Sequence, residues 1–173
     1  MLTIQKIKAM KKIKEEFKEL STHPLGDIGV TVGLSDENNL FKWRATINGP
    51  KDTSYSGGMY LYEIYFPDNY PEMPPEICFR TPIYHLNVNP FKPKNNAKTN
   101  ENLGYVSLNI LNFWKPEYTL KEVLFHLFYL FYKPNPDCCY GLERAYEFKE
   151  NKDLYEKKIK YFTKKYARPS SYK

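Results

Sequence analysis

The stretch Gly104–Pro116 reads GYVSLNILNFWKP, an apolar run with one small hydroxyl, Ser107, near its start. A hydroxyl or thiol in such a setting raises the question of nucleophilic chemistry. Serine is a poor nucleophile unless a base is held against it. A thiol with a pKa near ~8.5 supplies a useful thiolate fraction at neutral pH, whereas a hydroxyl supplies almost none. The candidate base is His85, with Asn87 two residues after it. By residue type alone Asn87 reads as a turn asparagine. The three cysteines, Cys78, Cys138 and Cys139, are odd in number and follow no metal spacing, so neither a disulfide framework nor a metal centre is expected. Free cysteines of this kind behave as small hydrophobes, and Cys138 and Cys139 are read as packing their loop.

Those residues need a scaffold, and the chain is long enough for one domain with a normal core: 173 residues, expected as a single unit over 1–173. The aromatic share of 17%, with 16 Tyr and 11 Phe, fits a core that uses Tyr and Phe where smaller apolar residues are usual. The net charge of +6 implies a lysine-rich surface or an acidic partner. No zinc-knuckle spacing or aromatic ribonucleoprotein motif accompanies it, so nucleic acid is not expected as a partner. The N-terminus, MLTIQKIKAMKKIKEEF, is too charged for a signal peptide, and no apolar run approaches ~18 residues. The expected setting is cytoplasmic or nuclear, with no membrane partner.

The elements follow from periodicity. Ile4, Ile7, Met10, Ile13, Phe17 and Leu20 recur at spacings that make one helical stripe, which His23-Pro24 ends. GDIGVTVGL, FKWRATING and GGMYLYEIYF alternate as strands, and EICFRTP follows a proline-dense loop. Together they predict a four-stranded antiparallel meander in an α+β fold. VNPFKPKNNAKTNENLG has no periodicity and reads as a surface loop. YTLKEVLFHLFYLFY is apolar on nearly all sides and predicts a central buried helix capped by Thr119 with Glu122. The C-terminal region carries two amphipathic helical patterns broken near Asn151.

The ordered landmarks Trp43, Gly49-Pro50, Tyr55, Gly57-Gly58, Phe66-Pro67, Tyr70-Pro71, Pro74-Pro75 and His85-Leu86-Asn87 resemble the core of the ubiquitin-conjugating enzyme family. Gly104, Leu108–Leu111, Trp114-Lys115-Pro116 and Pro134-Asn135-Pro136 continue the resemblance, which covers residues 4 to about 165. It implies a protein that carries ubiquitin or a ubiquitin-like modifier as a thioester and passes it to a substrate lysine. The family's catalytic cysteine falls at Ser107. The resemblance therefore implies a conjugating enzyme silenced at its nucleophile, or a non-enzymatic variant that acts as a binding scaffold. Three origins fit Ser107: a cysteine deliberately replaced, a natural inactive form, or chemistry moved to Cys138 or Cys139.

By the same resemblance Asn87 stabilises the oxyanion or the loop beside it. His85 is structural support. The first helix, through Lys6, Lys11 and Lys14, meets the activating enzyme. Glu72, Met73, Lys115 and Pro116 lie in the two loops that meet the ligase; Glu72 stands where many ubiquitin-dedicated members have an aromatic. Neither metal nor cofactor is implied. Leu86 replaces the family's proline and is expected to loosen its turn. The 88–103 segment is about a dozen residues longer than usual, as a tolerated loop insertion would be.

Overall fold

A computed structural model describes residues 3–90 and 104–169. Most of the expected 88–103 insertion therefore lies outside the described residues. The order of elements is α1 (Ile4–Thr22), β1 (Val30–Leu34), β2 (Lys42–Asn48), β3 (Met59–Tyr65), β4 (Glu76–Phe79), α2 (Asn109–Asn112), α3 (Leu120–Leu130), α4 (Leu142–Glu150) and α5 (Lys152–Tyr166). The sheet is an antiparallel meander in the order β1-β2-β3-β4, as expected for an α+β fold.

Alternation in β2 and β3 sorts the two faces of the sheet. The register pairs Trp43 with Ile64, Ala45 with Tyr62 and Ile47 with Tyr60, and all six are buried. Trp43 packs edge-on to Phe17 of α1 at 5.2 Å and to Phe66 at 5.0 Å, so one indole joins helix, sheet and loop. The tyrosine-rich composition is accommodated because most buried hydroxyls find partners. Tyr70 donates to Glu16 at 2.9 Å, Tyr55 to the Tyr84 carbonyl at 3.0 Å, and Tyr60 pairs with Thr163 at 2.8 Å. Glu16 also accepts the Leu120 N–H at 3.2 Å, which ties α1 to the first turn of α3.

On the opposite sheet face Glu63 is nearly buried between Lys42 at 3.0 Å and Arg80 at 2.6 Å, and also accepts from the Tyr65 hydroxyl. Burial alone would raise its pKa. The hydrogen bonds from Tyr65, Lys42 and Arg80 outweigh it and hold the carboxyl down at about 2.

Some sequence expectations change. The α1 stripe is buried only from Ala9 onward; Ile4 and Ile7 are 76% and 54% exposed. The first strand starts at Val30, since Gly26–Ile28 forms a 3-10 turn closed by Gly29 at φ 69°. The helix α3 has the expected cap, Thr119 and Glu122 bonding reciprocally. It is not buried all round, however: Phe125 and Tyr129 are 45% and 63% exposed. The α4–α5 break falls at Asn151, whose side chain caps α5 by accepting the Leu154 N–H.

Candidate active site

The predicted residues converge because an irregular strand is laid along the edge of β4. Gly104 takes φ 81°, a conformation that favours glycine, and its carbonyl accepts the Phe79 N–H at 2.8 Å. Tyr105 bridges to Cys78, Val106 bridges to Val88, and the Ser107 N–H donates to the Asn87 carbonyl at 2.9 Å. Ser107 is thus fixed next to Asn87 by the backbone. Past it, Asn109–Asn112 forms one helical turn where no helix was expected, since the run is too short to show a helical period.

The turn 85–88 is held from several directions. His85 is buried, with Nε2 at 3.1 Å from the Leu130 carbonyl and Nδ1 accepting the Asn87 N–H at 3.0 Å. An N–H pointing at Nδ1 requires that nitrogen to be unprotonated, so the proton sits on Nε2. Burial, helped by the nearby Arg144 charge and opposed by the Leu130 hydrogen bond, lowers its pKa to about 4. Both ring nitrogens are occupied, so His85 acts as a strut.

Leu86 does not loosen this turn. Its N–H donates to the Tyr155 hydroxyl at 3.0 Å and its carbonyl accepts the Tyr140 N–H at 2.6 Å. A proline there would lack the first of these bonds. Arg144, a buried residue of α4, donates to the His85 and Val88 carbonyls at 2.9 and 3.1 Å and stacks on the Tyr84 ring at 4.4 Å.

Asn87 is fully buried and its amide is spent on the facing loop. Nδ2 donates to the Asn135 carbonyl at 2.7 Å and to the Cys138 carbonyl at 3.0 Å, while Oδ1 accepts the Asn135 N–H at 2.8 Å. A small groove of about 130 Å³ lies between these segments, lined by Ser107, His126, Lys133, Asn135 and Cys138 among others. Within it the Ser107 hydroxyl accepts a hydrogen bond from Asn112 Nδ2 at 3.1 Å. The Cys138 thiol lies 3.6 Å from Asn109 Oδ1 and 3.6 Å from Asn87 Nδ2.

Asn112, His126, Lys133, Arg144 and Tyr155 are among the residues that sequence reasoning did not single out. His126 sat inside an apolar helical pattern, and nothing in the local sequence marks Arg144 as buried.

The residues expected to meet partners fall on connected segments. Trp114 Nε1 donates to the Pro71 carbonyl at 2.6 Å, which brings the loop of Glu72 and Met73 against that of Lys115 and Pro116. All four are exposed or half-exposed. Lys6 pairs with Asp68 at 3.0 Å, joining α1 to the same loop, and Lys11 and Lys14 are exposed. Among the described residues no group of three or more His, Cys, Asp or Glu could hold a metal ion, and no helix is long and apolar enough to cross a membrane.

The family model for ubiquitin-conjugating enzymes matches residues 12–163. A crystal structure of a candidate ubiquitin conjugating enzyme from Plasmodium yoelii is similar at 29% identity and a TM-score of 0.75, over 93% of this chain and 96% of that one. The family-model match spans α1 from residue 12 onward, the whole meander, the groove beside Ser107 and most of α5, and with that extent the chain belongs to the ubiquitin-conjugating enzyme family.

Proposed function

We propose that this protein is a conjugating enzyme for ubiquitin or a ubiquitin-like modifier whose acyl-accepting position carries Ser107, which silences it. The observation that carries this reading is the environment of the Ser107 hydroxyl. Its recorded partner, Asn112 Nδ2, is a donor, and no base is hydrogen-bonded to it among the described residues. His85 has both nitrogens engaged elsewhere. Without a base a serine does not attack a thioester at a useful rate. With cysteine at 107 the thiolate would attack the modifier's thioester carbonyl on the activating enzyme, form the new C–S bond and release the activating enzyme's thiolate. A substrate lysine would then displace the thiolate at 107. In this reading α1, with Lys6, Lys11 and Lys14, meets the activating enzyme, and the joined loops of Glu72, Met73, Lys115 and Pro116 meet a ligase. The cytosol or nucleus is the matching location.

A second reading is a scaffold that binds modifiers or an active partner without chemistry. It is favoured by Asn87, whose amide hydrogens are both committed to the 135–138 loop rather than free for an oxyanion. Charging of Ser107→Cys by an activating enzyme with ATP and a panel of modifiers separates the two. A silenced enzyme gains a thiol-sensitive adduct, and a scaffold does not.

A further inference from the structure

A cavity of about 430 Å³ opens between the 52–55 loop, the C-terminal end of α3 and the first half of α5, away from the Ser107 hydroxyl. That volume lies in the range of small-molecule sites. Its floor is apolar and fixed. Tyr55, Phe131, Tyr155 and Ile159 are buried core residues, and Tyr55 meets Phe131 edge to face at 4.9 Å. Rings packed on one another in this way give the cavity a rigid apolar wall.

The rim is polar and carries more positive than negative charge. Lys133, Lys152 and Lys160 face Asp52 and Glu156. Glu156 is already occupied: it pairs with Lys152 at 3.9 Å and accepts from Ser54 at 3.4 Å. Lys133 and Lys160 make no ion pair among the described residues, which leaves two ammonium groups at the mouth against the single exposed carboxylate of Asp52.

We propose that this cavity is a binding site for a small amphipathic anion, a flat apolar body bearing one carboxylate that sits between Lys133 and Lys160. Lys133 also lines the groove beside Ser107, so the ligand adjoins the loop that Asn87 holds. The site does not depend on whether Ser107 can be charged.

The test is titration of the full chain with 2-naphthoate and with its neutral isostere 2-naphthamide, followed by calorimetry and by amide NMR shifts. The expected result is saturable millimolar or tighter binding of naphthoate, with shifts centred on 52–55, 131–134 and 152–160. Naphthamide should bind about fivefold more weakly, the worth of two partly exposed charge contacts. The Lys133→Gln/Lys160→Gln variant, altered at two exposed positions that leave the core intact, should bind the two ligands equally. Three results would overturn the proposal: no saturable binding of naphthoate, equal binding of the amide by the unaltered chain, or an unchanged preference in the double variant.

Discussion

Asn87 and Asn135 are bonded reciprocally: the Asn87 amide donates to the Asn135 carbonyl at 2.7 Å and its side-chain oxygen accepts the Asn135 N–H at 2.8 Å. One buried side chain thus imitates a strand pairing and fixes the loop that walls the Ser107 groove. Replacing it by aspartate keeps the shape, removes both donors and sets a carboxylate against two carbonyls. Asn87→Asp is expected to lose about 2–4 kcal/mol of stability at neutral pH, part of which acidification restores by protonating the new carboxyl. Urea unfolding at two pH values, with hydrogen exchange of the Asn135 amide, checks this; an unchanged midpoint would contradict it.

His85 makes stability depend on pH. Its folded pKa of about 4 lies below the 6.5 of a free imidazole, so the unfolded chain binds the proton first as pH falls. The contribution is complete above 6.5 and is lost progressively down to about 4. Linkage gives a fall of about 2 kcal/mol between neutral pH and one and a half units below the free pKa. Urea midpoints across that window should drop by this amount. Glu63, held at about 2 against an ordinary 4.5, contributes stability that is complete above 4.5 and is lost progressively as pH falls from there to about 2.

Leu86 predicts an unexpected cost for restoring the family's residue. Proline there removes the N–H that reaches Tyr155 and leaves a buried hydroxyl short of a partner. Leu86→Pro should destabilise by about 1–3 kcal/mol, Tyr155→Phe should cost a comparable amount, and the double variant should cost less than the sum. A more stable Leu86→Pro protein would contradict the account.

Tyr62 is fully buried, and its hydroxyl has no hydrogen-bond partner among the described residues. Desolvation raises its pKa far above the usual tyrosine range. Tyr62→Phe should raise stability by about 1 kcal/mol and the melting temperature by a few degrees.

The sheet, both C-terminal helices and their break at Asn151 were legible because period-two and helical apolar patterns state which face is buried. The first turns of α1 and the outer side of α3 misled for the same reason. Ile4, Ile7, Phe125 and Tyr129 continue an apolar pattern that the fold leaves in water. The convergence of Ser107, His85 and Asn87 was legible through the ordered motifs. The supports were not: Arg144 and Tyr155 act across long sequence separations on backbone carbonyls and amides, which leave no local pattern, and Asn112 reaches the Ser107 hydroxyl through a helical turn too short to show a period. Leu86 shows the limit of reading a departure by itself, since its consequence depends on a tyrosine far along the chain.

The most direct measurement compares the chain carrying Ser107 with Ser107→Cys, each also prepared with Cys138 and Cys139 replaced by serine, in a charging reaction with activating enzyme, ATP and a modifier panel. The account predicts a thiol-sensitive adduct in every form with cysteine at 107 and in no form with serine there. A thiol-sensitive adduct on the Ser107 chain that vanishes when Cys138 and Cys139 are serine would contradict it and place the chemistry on one of those two thiols.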